Sequence, residues 1–263
     1  MNALEPSTNV PQPLLKVEAI SKSFGGIQAL YNVSFEVTSG HIYAVIGPNG
    51  AGKTTLFNII TGIYTPEEGG IFYDRQEIRG KRVYQLVRRG IARTFQNVEL
   101  FDSMTVLENV LVGQHVRTRC GFWGAICHWP WVKKEEKEAH RRAMELLQFV
   151  GLEGVAQNRS SDLPFGWQRF LEIARALAAE PRLLLLDEPA SGLNAVETEQ
   201  LATLLQQIRE RGVTLVLVEH DMSLTMSISD RILVLNQGKK LAEGTPREIQ
   251  ADEAVIDAYL GRE

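Results

Sequence analysis

The chain has 263 residues, of which 44% are apolar and 23% charged, and a formal net charge of −4 at pH 7. This composition is typical of a globular protein with one large or two small domains, and the mild acidity excludes a broad basic surface for nucleic acid. No apolar stretch approaches the roughly 20 residues of a membrane-spanning helix. Residues 1–13 lack the features of a signal peptide and are predicted to be a disordered tail, which favours a cytosolic or peripheral membrane protein.

The first predicted elements form a small antiparallel sheet. The stretches "LLKVEAISKSF" and "VSFEV" partly alternate between apolar and polar residues, and the turn-rich "GGIQ" separates them. The run "YAVI" at 43–46 is continuously apolar, as in strands buried on both faces of a parallel sheet. The sequence therefore predicts an antiparallel N-terminal sheet followed by a buried strand of a different, parallel sheet.

A phosphate-binding loop follows this buried strand directly. The stretch "GPNGAGKTT" satisfies G-x-x-x-x-G-K-[ST] between an apolar strand and a helical pattern. Gly50 and Gly52 allow the backbone to fold tightly around an anion, toward which loop N–H groups and the helix N-terminus point. Lys53 brings a positive charge near the β and γ phosphates, and the Thr54 hydroxyl can ligate Mg²⁺. The predicted cofactor-binding residues of the loop are Gly47, Pro48, Asn49, Gly50, Ala51, Gly52, Lys53, Thr54 and Thr55.

Between about 97 and 165 the strand pattern disappears. "TVLENVLVG" and "KKEEKEAHRRAMELLQFVG" are helical patterns. The second has an apolar face made of Ala139, Ala143, Leu146, Leu147 and Val150. The Trp-rich segment 120–131 admits two interpretations: a small hydrophobic cluster that closes a loop over the helices, or a contact with a membrane-embedded partner or lipid headgroups, which tryptophan favours.

Two carboxylates end the next buried strand. "LLLLDEP" places Asp187 and Glu188 at the carboxyl end of an apolar run, which is the edge of an open parallel sheet where ligands bind and where the phosphate loop also lies. Asp187 is predicted to hold Mg²⁺, commonly through water, and Glu188 to position and polarise an attacking water. The pair favours phosphoryl-transfer chemistry over a solvated turn.

Helices and strands alternate in the remaining chain. Asn194 and Glu197 form a predicted capping box before a helix with apolar residues at i, i+3, i+4 and i+7. Those residues are Leu201, Leu204, Leu205 and Ile208. Apolar runs at 214–218 and 232–235 add two more buried strands. This alternation predicts an α/β domain with right-handed crossovers.

Taken in order, these motifs and several others resemble the nucleotide-binding subunits of ABC transporters from Leu14 onward. Gln96 in "RTFQN" matches the Q-loop glutamine, which contacts Mg²⁺ and the attacking water. His220 in "VEHDM" matches the switch histidine that contacts the γ-phosphate, and Phe24 in "SKSFGG" matches the aromatic residue that stacks on adenine. The stretch "SGLN" at 191–194 stands at the D-loop, although the family usually ends that motif with Asp.

The resemblance implies a fold, cofactors and roles. The expected fold is a P-loop NTPase (RecA-like) α/β core with an N-terminal antiparallel β subdomain and a helical signature subdomain. The core lobe would span 14–96 and 180–263, and the helical lobe 97–179. The cofactors would be ATP and Mg²⁺. The implied catalytic residues are Glu188, His220 and Gln96, and the implied metal ligands are Thr54, Gln96 and Asp187.

The stretch "LPFGWQR" stands where the family has its signature, L-S-G-G-Q followed by Gln and Arg. The matching residues are Leu163, Gly166, Gln168 and Arg169, and the departures are Pro164, Phe165 and Trp167. In the family this motif contacts ATP bound to the opposite subunit, so Leu163, Gly166 and Gln168 are implied nucleotide contacts in trans. Pro164 removes a hydroxyl and a backbone donor, but the following helix N-terminus keeps its N–H groups and dipole. We expect weaker dimer closure rather than none. The rival hypothesis is a module that binds ATP and closes without efficient turnover.

A narrower resemblance concerns the transported substrate. The stretches "TFQNVELFDSMTVLENVLVGQH", "EPASGLN" and "GTPREIQADEAVIDAYLG" resemble ATPases of branched-chain amino-acid importers, with urea and amide importers and a lipopolysaccharide exporter as alternatives. The implied partners are a second ABC ATPase subunit in a homo- or heterodimer, membrane permease subunits and, indirectly, a periplasmic binding protein, at the cytoplasmic face of the inner membrane. A soluble ABC ATPase acting on ribosomes or DNA usually fuses two such domains, whereas only one phosphate loop is present here, and no nucleic-acid partner is expected.

Overall fold

The computed structural model describes residues 13–96, 98–116 and 130–260. The small sheet near the N-terminus is antiparallel, with the strand order β2-β1-β4-β5. Its strands are β1 (Pro13–Phe24), β2 (Ile27–Thr38), β4 (Glu68–Tyr73) and β5 (Gln76–Glu77). The predicted antiparallel sheet is confirmed. Strand β1 begins at Pro13, one residue before the expected start at 14. Residues 1–12 of the predicted tail lie outside the described residues.

The larger sheet has the strand order β10-β9-β3-β8-β7-β6, and every neighbouring pair is parallel except β10 and β9. The strands are β3 (Ile42–Ile46), β6 (Ile91–Arg93), β7 (Leu183–Asp187), β8 (Thr214–Val218), β9 (Arg231–Asn236) and β10 (Lys239–Gly244). All residues of β3, β7 and β8 are buried. Residues 232–235 of β9 are buried as well. The four apolar runs are therefore confirmed as central strands, because such strands are covered on both faces.

Two hydrophobic cores lie on opposite faces of the larger sheet. Successive side chains of a strand point to opposite faces, so Tyr43 and Val45 of β3 join one core while Ala44 and Ile46 join the other. The first core packs α1 and the small sheet against the larger sheet. The second core packs the helices of the segment 106–177 against the opposite face. The larger sheet thus lies between the two cores and contributes side chains to both.

Helices connect the strands and cover the larger sheet. They are α1 (Lys53–Ile60), α2 (Val83–Arg88), α3 (Val106–Gly113), α4 (Pro130–Phe149), α5 (Phe165–Leu177), α6 (Ala195–Glu210), α7 (Met222–Ile228), α8 (Pro246–Ala251) and α9 (Glu253–Leu260). Where residues 98–165 are described, they add no strand to either sheet, as predicted. In the described residues no helix combines the length and apolarity that crossing a membrane requires.

The helix ends follow the local sequence chemistry. The predicted capping box of α6 is confirmed, because Asn194 accepts from the N–H groups of Val196 and Glu197 and its own N–H donates to Glu197. Helix α5 begins after Pro164, whose side chain offers no capping acceptor. Of the Trp-rich segment 120–131, residues 120–129 lie outside the described residues, so both interpretations of that segment remain predictions.

Candidate functional site

The phosphate loop connects β3 to α1 in the predicted setting. Its glycines hold backbone conformations that other residues rarely adopt, with φ of +78° at Gly50 and +100° at Gly52. A Cβ atom at Gly47 would collide with the backbone oxygen of Leu235 on β9. Because α1 begins at Lys53, its first N–H groups open toward the loop. The loop therefore presents backbone donors at the carboxyl edge of the larger sheet.

Lys53 is buried within this loop. Its ammonium donates hydrogen bonds to the carbonyl oxygens of Gly47, at 2.6 Å, and Pro48, at 3.1 Å. Burial lowers the pKa of Lys53, while the carboxylates of Glu188 and Asp187 act in the opposite direction. Thr54, the next residue, is exposed and Thr55 is half-buried. The ammonium is thus held by neutral carbonyl acceptors, which an anion can replace.

Glu188 lies between the side chains of Gln96 and His220, the residues that match the Q-loop and switch motifs of the family. Its backbone has φ of +47° directly after β7, a strained conformation of a kind common at functional sites. One carboxylate oxygen accepts a hydrogen bond from Gln96 Nε2 at 2.8 Å, and the other lies 2.8 Å from His220 Nε2. The three side chains follow β6, β7 and β8, so the parallel order of these strands brings them together. This arrangement can hold and polarise a water molecule.

Asp187 forms a buried ion pair that sequence reasoning missed. Arg93 donates to Asp187 Oδ2 at 2.7 Å and also to Asn58 and Thr61. The guanidinium lies 5.2 Å from the centre of the Phe95 ring. Thr54 and Gln96, the other two predicted metal ligands, carry oxygen atoms of the kind that Mg²⁺ prefers, and the predicted magnesium site stays a prediction. In the sequence, Arg93 was visible only as a charged residue three positions before Gln96.

Glu219 is, like Asp187, a buried acidic residue near the proposed site, but the sequence analysis did not predict a role for it. Its carboxylate accepts hydrogen bonds from the N–H groups of Ala190, at 2.7 Å, and His220, at 3.1 Å. Burial raises the pKa of Glu219, and these backbone donors act against the shift. Glu219 thereby ties the turn after Glu188 to the segment that carries His220. The signal in the sequence was an acidic residue at the end of the buried strand β8.

Phe24 belongs to a pair of aromatic residues. Phe24 is 41% exposed, and its ring meets that of Tyr64 edge to face with ring centroids 5.0 Å apart. The ammonium of Lys22 lies 5.2 Å from the centre of the same ring. Tyr64 was not predicted, because it lies 40 positions from Phe24 in the chain and no motif marks it.

The signature residues pack against the "SGLN" segment and the first turn of α6 in the same chain. The Phe165 ring covers Gly192, and a Cβ atom at Gly166 would collide with the Glu197 carboxylate. Gln168 Nε2 donates to the Leu163 carbonyl at 3.0 Å, and the Leu163 side chain is buried in the core. The amide of Gln168 and the side chain of Leu163 are thus engaged within the chain. The predicted trans contacts of Leu163, Gly166 and Gln168 stay predictions.

Comparison with known protein families gives two matches. The profile described as ABC transporter matches residues 30–191, and the profile described as branched-chain amino acid ATP-binding cassette transporter matches residues 239–263. Both matched segments contain motifs described above.

Proteins similar to this chain carry related names. The high-affinity branched-chain amino acid transport ATP-binding protein BraF of Pseudomonas aeruginosa is 46% identical over 95% of this chain and 98% of its own length. The protein LivG of Escherichia coli K12, with the same description, is 46% identical over the same shares. A probable LivG of Methanocaldococcus jannaschii is 32% identical over 94% of this chain and 97% of its own length.

Solved structures share the architecture. A nucleotide-free ATP-binding cassette from an ABC transporter is 30% identical, with a TM-score of 0.83, over 95% of this chain and all of that chain. A dimeric cassette in a post-hydrolysis state bound to ADP and Pi is 30% identical, with a TM-score of 0.75, over 89% of this chain and 99% of that chain. The predicted fold class is therefore confirmed.

Proposed function

Because the chain belongs to the ABC transporter family, we propose that it hydrolyses ATP to power the import of branched-chain amino acids through membrane permease subunits. The similarity to BraF and LivG over almost the whole chain supports this substrate class. The match of residues 239–263 to the branched-chain profile supports it independently of the nucleotide motifs. Urea and amide importers and a lipopolysaccharide exporter are the alternatives within the same branch.

The contact of Glu188 with both Gln96 and His220 carries the proposal of hydrolysis. A carboxylate held by an amide donor on one side and an imidazole on the other is oriented to accept a proton from a water between it and a phosphate. In-line phosphoryl transfer needs mainly such positioning together with charge stabilisation. Glu188, His220 and Gln96 are the proposed catalytic residues.

The phosphate loop and Lys53 would bind the triphosphate. Loop N–H groups and the N-terminus of α1 face the anion, and Lys53 leaves the carbonyls of Gly47 and Pro48 to meet the phosphates. Thr54, Gln96 and Asp187 would hold Mg²⁺, which when bound neutralises phosphate oxygens. Phe24, with Tyr64 beside it, would stack on the adenine ring.

A second ABC ATPase subunit would complete each site. We propose that the start of α5, with Leu163, Gly166 and Gln168, faces the nucleotide of that partner, since a helix N-terminus favours an anion. A solved cassette of the same family forms a dimer bound to ADP and Pi. In the proposed division, the core lobe (14–96 and 180–263) binds nucleotide and the helical lobe (97–179) presents the signature.

A groove between the proposed lobes is the candidate permease contact. It is lined by Val87, Leu100, Phe101, Val112 and Arg175, among others. Phe101 and Val112 are exposed at its rim, although both are apolar. We propose that the cytoplasmic face of the permease covers this groove. The chain would then be peripheral on the inner membrane, and a periplasmic binding protein would act on it only through the permease.

Replacing Glu188 by Gln tests the proposal of hydrolysis. Gln keeps the shape, and its amide can still accept from Gln96 while it donates to the other tautomer of His220. Because general-base catalysis contributes about 10²–10⁴-fold, kcat should fall by about that factor while ATP affinity is retained. Glu36→Gln is the matched control, because Glu36 is exposed on the small sheet and pairs with Lys16. Turnover by Glu188→Gln at the parent rate would refute the catalytic role.

The rival hypothesis is an ATP-binding module that closes without efficient turnover, and the replacement of the signature Ser by Pro164 is the observation that favours it. Steady-state ATPase of the parent chain separates the two hypotheses directly. The substrate class is tested in vesicles that contain the chain with its co-purifying permease and binding protein. Leucine or isoleucine should stimulate ATPase activity, whereas stimulation by urea or acetamide alone would move the chain to the alternative class.

A further inference from the structure

Helix α5 carries a fully buried ion pair between Arg169, the last residue of the stretch "LPFGWQR", and Glu172. Arg169 Nη1 donates to Glu172 Oε2 at 3.1 Å, and each side chain is only 1% exposed. Burial raises the pKa of Glu172. A buried pair of this kind contributes little net stability compared with apolar residues of similar size, because both charges lose their hydration. Its presence therefore needs another explanation.

The pair holds the backbone of the segment that carries Gln96. Arg169 donates to the carbonyl oxygens of Phe95, at 3.0 Å, and Gln96, at 2.9 Å. Glu172 accepts from the N–H group of Phe95 at 3.1 Å. Three backbone groups of two adjacent residues are thus bound to one turn of α5, so this backbone cannot move away from the helix without breaking all three bonds.

Each end of this connection meets a different part of the proposed machinery. On one side, the Arg169 guanidinium lies 5.8 Å from the ring centre of Phe165, the first residue of α5. On the other side, the Gln96 side chain donates to Glu188 at 2.8 Å. A continuous chain of contacts therefore runs from the signature, through Arg169 and Gln96, to the proposed catalytic carboxylate of the same subunit.

We propose that Arg169 and Glu172 are positioning residues that set Gln96 against Glu188 according to the position of α5. When α5 docks on the partner's nucleotide, the same movement places Gln96 in the chain's own site. Both composite sites then become competent for hydrolysis at the same time. This inference rests on the proposed ATPase function. The coupling depends on a buried ion pair, and neither Arg169 nor Glu172 is proposed to contact nucleotide.

The test replaces the pair by apolar residues of similar volume, Arg169→Met with Glu172→Met. Exchange of a buried pair is often neutral for folding, but the three backbone groups that this pair binds also lose their partners, so we expect a lower melting temperature. The variant and the parent are therefore compared at a temperature at which circular dichroism shows both to be fully folded. ATP affinity of the monomer should be unchanged, while kcat should fall by about 10–100-fold, since a misplacement of about 1 Å can cost about 10²-fold. In a Gln96→Ala background the same exchange should lower kcat by less than about 2-fold, because both changes remove the same interaction, that of Gln96 with Glu188.

The matched control is Arg142→Met with Glu138→Met, an exposed pair 2.9 Å apart on α4, which should leave kcat unchanged. Arg169→Lys is a second variant that keeps the charge but lacks the fork that reaches both carbonyls. It should lower kcat without affecting ATP affinity. Parent-like kcat in both Arg169 variants, or a full multiplicative loss of activity in the Gln96→Ala background, would overturn the inference.

Hydrogen exchange gives a readout that does not depend on turnover. With a non-hydrolysable ATP analogue, peptides covering 93–98 and 163–169 should be protected together in the parent, whereas only 163–169 should gain protection in the double Met variant. Joint protection in that variant would also overturn the coupling. Absence of ATPase activity in the parent would instead contradict the proposed function, and this exchange experiment would still decide the inference.

Discussion

Replacing Lys53 by Met separates the role of this side chain in folding from its role in binding. The ammonium makes two hydrogen bonds to loop carbonyls, at 2.6 and 3.1 Å, and is buried. Hydrogen bonds to a charged group contribute about 1.5–3 kcal/mol each, and desolvation of a buried ion costs several kcal/mol. These opposing contributions nearly cancel, so the unfolding free energy of the nucleotide-free Met variant should stay within about 1–2 kcal/mol of the parent.

The effect on nucleotide binding should be larger. A unit charge about 4 Å from a phosphate charge gains about 4 kcal/mol at an effective dielectric constant of about 20. The bonds to Gly47 and Pro48 are exchanged for bonds to phosphate oxygens, so these hydrogen bonds nearly cancel, and the charge-assisted contact that remains contributes about 1.5–3 kcal/mol net. ATP affinity should therefore fall by about 10–150-fold in Lys53→Met.

Calorimetric titration with ATP and thermal unfolding without nucleotide measure the two effects on the same samples. Lys16→Met is the control, because Lys16 is an exposed lysine of the small sheet that pairs with Glu18 and Glu36. It should change neither quantity. A Lys53→Met variant with parent-like ATP affinity and a large loss of stability would refute the reasoning.

Three further predictions concern the surroundings of the site. Burial raises the pKa of Glu219 above its ordinary 4.5, so the folded chain binds this proton more tightly than the unfolded chain does, and stability is lost as pH rises through the folded pKa. The melting temperature of the parent relative to Glu219→Gln should therefore decrease as the pH rises above 4.5, and parallel curves would exclude this linkage. Phe24→Ala should weaken ATP binding by about 5–150-fold, since stacking on a base contributes about 1–3 kcal/mol. Binding of tripolyphosphate, which has no base, should be unchanged, and Tyr64→Ala should show a smaller loss in the same direction. Pro164→Ser should leave ATP affinity of the monomer unchanged and tighten ATP-dependent dimerisation in a Glu188→Gln background by about 2–10-fold, because one neutral hydrogen bond contributes about 0.5–1.5 kcal/mol. A change in monomer affinity would contradict the trans role of the signature.

Local patterns in the sequence were sufficient for the elements of the fold. The run of five buried residues in β3, the glycines that follow it and the lysine that starts α1 are adjacent in the chain, so their geometry is determined by neighbours. The same holds for the capping box of α6, where Asn194 and Glu197 are three positions apart. The proposed site residues Glu188 and His220 could be recognised for a similar reason, because they closely follow the buried strands β7 and β8, whereas Gln96 was recognised only by its resemblance to the family motif.

The partners of those motifs could not be recognised in the same way. Arg93 and Asp187 are 94 positions apart, and Phe95 and Glu172 are 77 apart. Neither pair leaves a periodic pattern, because their contact depends on which strands are neighbours and on how α5 crosses the larger sheet. The internal use of Gln168 and Leu163 was missed for the same reason, since a motif records residue identity and not the direction of a side chain.

The sequence alone determined that this protein has a phosphate loop, a carboxylate pair at a strand end and an α/β core, because backbone preference and hydrophobic period act over a few residues. Only the tertiary structure decided which groups hold Glu188, Asp187 and the backbone at Gln96. Those decisions arise from strand order and helix packing, where groups distant in the chain become neighbours and where buried charges must find their counter-charges.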